Sequence, residues 1–134
     1  MGGRVVLVVD DEPEVRLVVR AMLERLGYVP LLARDGAEAL DLLRGCAVEV
    51  AAAVIDVRMP DSDGPATLAA LAAVAPGLPC AFLTGGSEYT TAALLACGAR
   101  AVLDKPLRLD DLRRGLAAVL TSAAPPLGAP PLSR

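Results

Sequence analysis

The sequence contains no histidine and no tryptophan, and aromatic residues make up 2% of its 134 positions. Without imidazole there is no histidine general base, no usual zinc site and no phosphohistidine on this chain. With so few rings, the core must be aliphatic. Cysteine is scarce too: Cys46, Cys80 and Cys97 form an odd set without a CxxC pair. They read as reduced thiols in or near the core, a cytosolic sign. Thirteen Lys and Arg face sixteen Asp and Glu for a net charge of -3, and no basic run exceeds Arg113-Arg114. That balance speaks against direct nucleic-acid binding. No apolar run reaches the roughly 18 residues of a membrane span, and no signal peptide precedes "RVVLVV" at 4–9. Met1-Gly2 opens like a myristoylation site, but Val6 stands where Ser or Thr is required.

What is abundant is Ala, Val and Leu, in a chain whose length suits one domain with a real core. Apolar runs at 4–9, 29–33, 51–55, 80–83 and 101–103 read as strands and alternate with amphipathic segments. The segment 13–26 sets Val15, Val18, Val19, Met22, Leu23 and Leu26 on one stripe and stops at Gly27. Helices are expected also over 35–43, 65–75, 87–97 and 109–120, with Asp35 and Ser87 as N-caps and Gly98 as a C-cap. Strict alternation with nearly continuous apolar strands predicts an α/β fold: a doubly wound parallel sheet with helices on both faces. Residues 122–134, "SAAPPLGAPPLSR", carry four prolines and no periodicity, and read as a disordered tail or linker stub.

In such sheets ligands bind beyond the carboxyl ends of the strands. The first run ends in Asp10-Asp11-Glu12, the third in Asp56, the fourth in Thr84, and the fifth is followed by Lys105-Pro106. All fall on one edge. Clustered carboxylates ionise together only at a cost unless a cation joins them. An oxygen-only set suits a hard ion, and Mg²⁺ is the one expected here. Lys105 and the Thr84 hydroxyl would supply a cation and a hydrogen bond for a phosphoryl group. A carboxylate can itself be the nucleophile, and Asp56 is the candidate because it ends a central buried strand.

With these residues in place, the chain resembles the receiver domain of two-component response regulators, of the chemotaxis-regulator type, over about residues 4–121. "VVDDE", "VIDVRMPDSDG", "LTG" and "VLDKP" stand in that family's order and spacing. The resemblance implies a flavodoxin-like sheet of order 2-1-3-4-5 and a phosphoacceptor at Asp56. It implies Mg²⁺ held by Asp11, Asp56 and the backbone carbonyl of Arg58, with Asp10 acting through water. Thr84 and Lys105 would contact the phosphoryl group, and the Lys105-Pro106 bond is typically cis. Arg58 and Gly86 take the two variable positions that flank the phosphoryl group and tune its lifetime. The implied partners are a sensor histidine kinase or phosphotransfer protein and a downstream protein. The latter would bind the face of the fourth helix, fifth strand and fifth helix, for which Tyr89, Leu94, Arg100, Val102, Arg108 and Leu109 are candidates, some of them core. The expected molecule is a cytoplasmic signalling switch that promotes its own phosphorylation and dephosphorylation, not a turnover enzyme, and a monomer or weak homodimer without nucleic-acid or membrane contact.

Other readings of the acids are weaker. A calcium loop around Asp61 and Asp63 would put Met59 at its first ligand and Ala70 at its bidentate glutamate, and fails. A plain solvated turn fits those two aspartates better. Haloacid-dehalogenase phosphatases place a second carboxylate two residues after the nucleophile, where this chain has Arg58. The arginines at 16, 20 and 25 read as the wet face of the first helix. One departure bears on output: receivers usually carry Tyr or Phe three residues before the lysine, and here that residue is Val102. This favours, as the alternative, a pseudo-receiver that docks without phosphorylation.

Val102 is β-branched and has no hydroxyl to exchange between two positions. A phosphoryl mimic such as beryllofluoride should therefore move amide resonances mainly in residues 84–92. A response centred on residues 100–103 would contradict this.

Overall fold

Successive residues of the first strand belong to opposite cores. Leu7 and Val9 lie in one buried cluster with Ala53, Ile55 and Phe82, whereas Val6 and Val8 lie in the other with Ala52, Val54 and Leu83. Side chains alternate along a strand, so a strand apolar at every position must be covered on both faces. The computed structural model describes residues 3–45, 49–60, 62–86 and 89–121. The expectations for Cys46, Asp61, Ser87 and the 122–134 segment lie outside the described residues.

The elements are β1 (Val5–Val9), α1 (Pro13–Arg25), β2 (Val29–Ala33), α2 (Gly36–Gly45), β3 (Val50–Asp56), α3 (Gly64–Val74), β4 (Cys80–Thr84), α4 (Thr91–Ala96), β5 (Ala101–Asp104) and α5 (Leu109–Thr121). The strands form one parallel sheet of order β2-β1-β3-β4-β5. α1 and α5 bury Val19, Leu23, Leu112, Leu116 and Val119 on one face. α2, α3 and α4 bury Ala39, Leu68, Leu71 and Leu94 on the other. Each large side chain so enclosed is worth about 1.5–3 kcal/mol. Among the described residues, no helix is long and apolar enough to cross a membrane.

Caps explain the helix boundaries, and two differ from expectation. Asp35 Oδ1 accepts from the Glu38 N–H at 2.8 Å, as its sequence position suggests. Gly27 and Gly98, at φ 92° and 114°, end α1 and α4 in the left-handed region. α3, however, begins at Gly64, because Asp63 Oδ1 accepts from the Ala66 N–H at 3.0 Å. Asp63 is therefore a cap and not a free turn residue. α4 begins at Thr91 instead of 87, because Thr90 Oγ1 accepts from the Ala93 N–H at 3.0 Å. The Tyr89 side chain just before it is engaged elsewhere.

Gly64 is the tightest junction beneath β3. A Cβ there would stand 2.8 Å from Val57 Cα, 2.9 Å from Phe82 Cε1 and 3.0 Å from the Asp56 carbonyl oxygen. Two of these are backbone atoms that cannot yield without moving the end of β3. Gly64→Ala should cost about 2–3 kcal/mol in denaturant unfolding. Gly115→Ala should cost less, since its closest neighbour is Leu103 Cδ2, the end of a flexible side chain.

Candidate functional site

Strand register assembles the acidic edge. Val9 pairs with Ile55 and Asp56 with Leu83, so Asp10, one residue past β1, emerges beside Asp56 at the end of β3. Thr84 pairs with Asp104, and the Lys105 N–H donates to the Thr84 carbonyl at 2.8 Å, which places the Lys105 side chain on the same edge. Lys105 Nζ lies 3.2 Å from Asp56 Oδ1, 3.4 Å from Asp10 Oδ2 and 3.4 Å from Glu12 Oε1. Asp10 and Asp56 are 1% and 4% exposed, so this is a buried ionic cluster in which desolvation competes with attraction.

The titration of the three groups reflects that competition. Burial, reinforced by the Asp10 charge and only partly offset by Lys105, pushes Asp56 from 3.8 up to about 6. Asp10 is also raised by burial, against the lowering effect of its bond from the Glu12 N–H and of Lys105. For Lys105, burial acts downward, but the charges of Asp10 and Asp56 outweigh it and hold the ammonium above its ordinary value. The cluster thus carries uncompensated negative charge.

A divalent cation answers that imbalance. Asp10, Asp11 and Asp56 each offer a carboxylate oxygen within 4.8 Å of the others. Asp10 Oδ2 is buried without a hydrogen-bond partner, although Lys105 stands 3.4 Å away. A buried carboxylate oxygen that has an ion pair but no well-formed hydrogen bond, set amid other carboxylates, fits a hard ion such as Mg²⁺. Two hollows of about 420 and 460 Å³ open at the opposite edge of the sheet around Val50, Pro79 and Leu120, and among the described residues neither is lined by such a cluster.

Of the other expected site residues, Thr84 ends β4 half-buried, its Oγ1 accepting from the Gly86 N–H at 3.2 Å. The exposed Arg58 follows two residues after Asp56. The Lys105-Pro106 peptide is cis. Val102 and Tyr89 both pack on the cluster containing Phe82 and Leu94. Leu94, offered among partner-face candidates of which some were expected to be core, is buried in the cluster around Phe82; Leu95, 43% exposed, takes the outer position. Arg16 was expected on a wet face, yet its Nη1 donates to the Asp10 carbonyl at 2.6 Å and buttresses the acidic turn. Helical periodicity held no signal for that contact. Cys80 and Cys97 are free, and burial pushes the Cys80 thiol up to about 12, leaving it inert.

Residues 6–117 match the family described as the response regulator receiver domain. The chain is similar to the response regulator MprA of Mycobacterium sp. (strain KMS), 37% identical over 124 residues that cover 92% of this chain and 53% of that protein. It is also similar to the transcriptional regulatory protein ZraR of Escherichia coli (strain K12), 37% identical over 83% of this chain and 25% of that protein. It thus spans from a quarter to about half of these relatives. Among solved structures, the Vibrio cholerae chemotaxis protein CheY4 superposes with a TM-score of 0.80 at 30% identity, covering 89% of this chain and all of that one. TrrA of Thermotoga maritima, solved in complex with Mg²⁺-BeF, gives 0.77 at 26% identity over 87% and 99%.

The raised carboxyl of Asp56 has a consequence for metal-free stability. A carboxyl with a native pKa near 6 and an unfolded value near 3.8 binds protons more readily when folded. Its ionisation therefore weakens the fold as pH rises through this window, and the loss is complete above the native value. Asp56→Asn should melt several degrees higher than the wild type at pH 7.5, and the gap should close below about pH 4. Thermal unfolding in chelator across that range checks the sign.

Proposed function

Since the chain belongs to the response regulator receiver family, we propose that residues 4–121 form a domain that accepts a phosphoryl group on Asp56. The donor would be the phosphohistidine of a sensor kinase or phosphotransfer protein. The observation that carries this reading is one strand-ending carboxylate, Asp56, in ion-pair contact with Lys105 and grouped with Asp10 and Asp11. An Asp56 oxygen attacks phosphorus, the phosphorus–nitrogen bond breaks, and its electron pair returns to the donor imidazole. Lys105 balances negative charge on the phosphoryl oxygens. Thr84, whose oxygen already accepts from Gly86, keeps its hydroxyl proton to donate to them. Asp11, Asp56 and the Arg58 carbonyl would hold Mg²⁺, with Asp10 acting through water; bound there, the ion neutralises the carboxylates and the incoming phosphoryl group. Arg16 and the Glu12 N–H hold Asp10 in place from behind.

The donor needs a surface beside Asp56. Leu17 and Val18 on α1 are 57% and 51% exposed, and an apolar groove of about 230 Å³ lined by Val15, Val18, Leu83, Pro106 and Leu107 runs beside Lys105. A donor helix carrying the phosphohistidine would cover this patch. Output would use α4, β5 and α5, where Leu95 and Arg108 are exposed. The molecule acts as a cytoplasmic switch, monomeric or weakly dimeric, that promotes its own phosphorylation and dephosphorylation. Its second reading, a pseudo-receiver, is favoured by one observation: Val102 is packed against the core and has no polar group to respond with.

Incubation with acetyl phosphate and Mg²⁺ should add one phosphoryl mass to the wild type and none to Asp56→Asn; a labelled variant would refute the assignment. Asp11→Ala should weaken Mg²⁺ binding by about tenfold or more in calorimetry, and unchanged affinity would move the metal elsewhere. No labelling of the wild type would favour the pseudo-receiver. Continuous phosphate release from a monoester would instead identify an aspartate phosphatase.

A further inference from the structure

One side-chain hydrogen bond ties together the two segments that flank Asp56. The Tyr89 hydroxyl donates to Asp63 Oδ2 at 2.6 Å, across 26 positions of sequence. The Asp63 carboxylate is held on both oxygens, since Oδ1 caps α3 through the Ala66 N–H. The adjoining Gly64 N–H donates to the Val57 carbonyl at 2.8 Å, and Val57 directly follows Asp56. On the other side, Tyr89 packs against the Phe82 cluster and lies five residues beyond Thr84. A phenol donating to a carboxylate, with both groups half-buried, makes a charge-assisted bond stronger than a neutral one. Val102, in the same cluster, has no polar atom to do this work.

We propose that Tyr89 is a positioning residue for phosphoryl transfer. The sheet fixes the backbone of Thr84 relative to Val57, whose N–H donates to the Leu83 carbonyl at 3.1 Å, and the bond from Tyr89 to Asp63 ties the segment after Thr84 to the first turn of α3. The proposal rests on the phosphoacceptor reading above. Phosphoryl transfer is sensitive to misplacement of stabilising groups by an ångström or less, and the Thr84 hydroxyl, at the very end of β4 and bonded to the Gly86 N–H, takes its orientation from the segment that Tyr89 anchors. The aromatic usually found at position 102 is thus replaced by an aromatic on the neighbouring loop that acts through a different partner.

The test is a double-mutant cycle. Tyr89→Phe removes only the hydroxyl, and Asp63→Ser keeps an N-cap oxygen while withdrawing the acceptor. Each single variant should take phosphate from acetyl phosphate about threefold or more slowly than the wild type, and the double variant no more slowly than the slower single. Tyr89→Phe should bind Mg²⁺ with wild-type affinity. Wild-type rates in the single variants, multiplicative effects in the double, or a parallel loss of Mg²⁺ affinity would each overturn the proposal. If the wild type takes no phosphate, it is the phosphoacceptor reading that fails. The tether is then judged on the unphosphorylated proteins, where both variants should shift the Thr84 and Gly86 amide resonances. Unmoved resonances would overturn it.

Discussion

The Lys105 ammonium, set among Asp56, Asp10 and Glu12 at 3.2 to 3.4 Å, is the interaction on which the rest of the site depends. Among the described residues it is the cation in ion-pair contact with these carboxylates, two of which are almost wholly buried, and it does not balance them: Asp56 and Asp10 both stay above their ordinary values because of burial. A fold optimised for stability alone would not keep this arrangement, since a buried ion pair seldom repays its desolvation. The surplus negative charge is of the kind that a hard divalent cation offsets. Stability is therefore given up at the edge where the carboxylates gather.

The surroundings confine that imbalance. Asp10 is fixed at its backbone by Arg16 and at its side chain by the Glu12 N–H. Gly64 allows α3 to approach the end of β3 to within bonding distance of Val57. Each contact reaches from a helix start back to a strand end, so the loops at this edge are tied to the sheet that carries the acids. Parallel topology brings this about, because every helix begins on the edge where a strand finishes.

The two faces of the sheet divide the remaining tasks. On the α1 and α5 face, exposed Val18 lines an apolar groove that it shares with Lys105, Pro106 and Leu107. On the other face, Val102 and Tyr89 share the cluster around Phe82. Val102, a small aliphatic residue on β5, has no polar group in that cluster, whereas the Tyr89 hydroxyl reaches Asp63.

By itself, the sequence determined the alternation of strands and helices, the sheet covered on both faces, and the edge on which Asp10, Asp11, Asp56, Thr84 and Lys105 gather. These follow from local periodicity and from the rule that parallel strands end together, so they are legible in one dimension. Some details turned on choices among local contacts that periodicity does not rank: Asp63 and Thr90 as the caps that start α3 and α4, and Arg16 bonded to the Asp10 carbonyl instead of facing water. Tertiary structure alone decided that Asp63 receives the Tyr89 hydroxyl, 26 positions away, and that Leu94 is core. Both depend on a distant segment arriving within hydrogen-bond or packing reach, which register and helix packing fix and the spacing of the residues does not record.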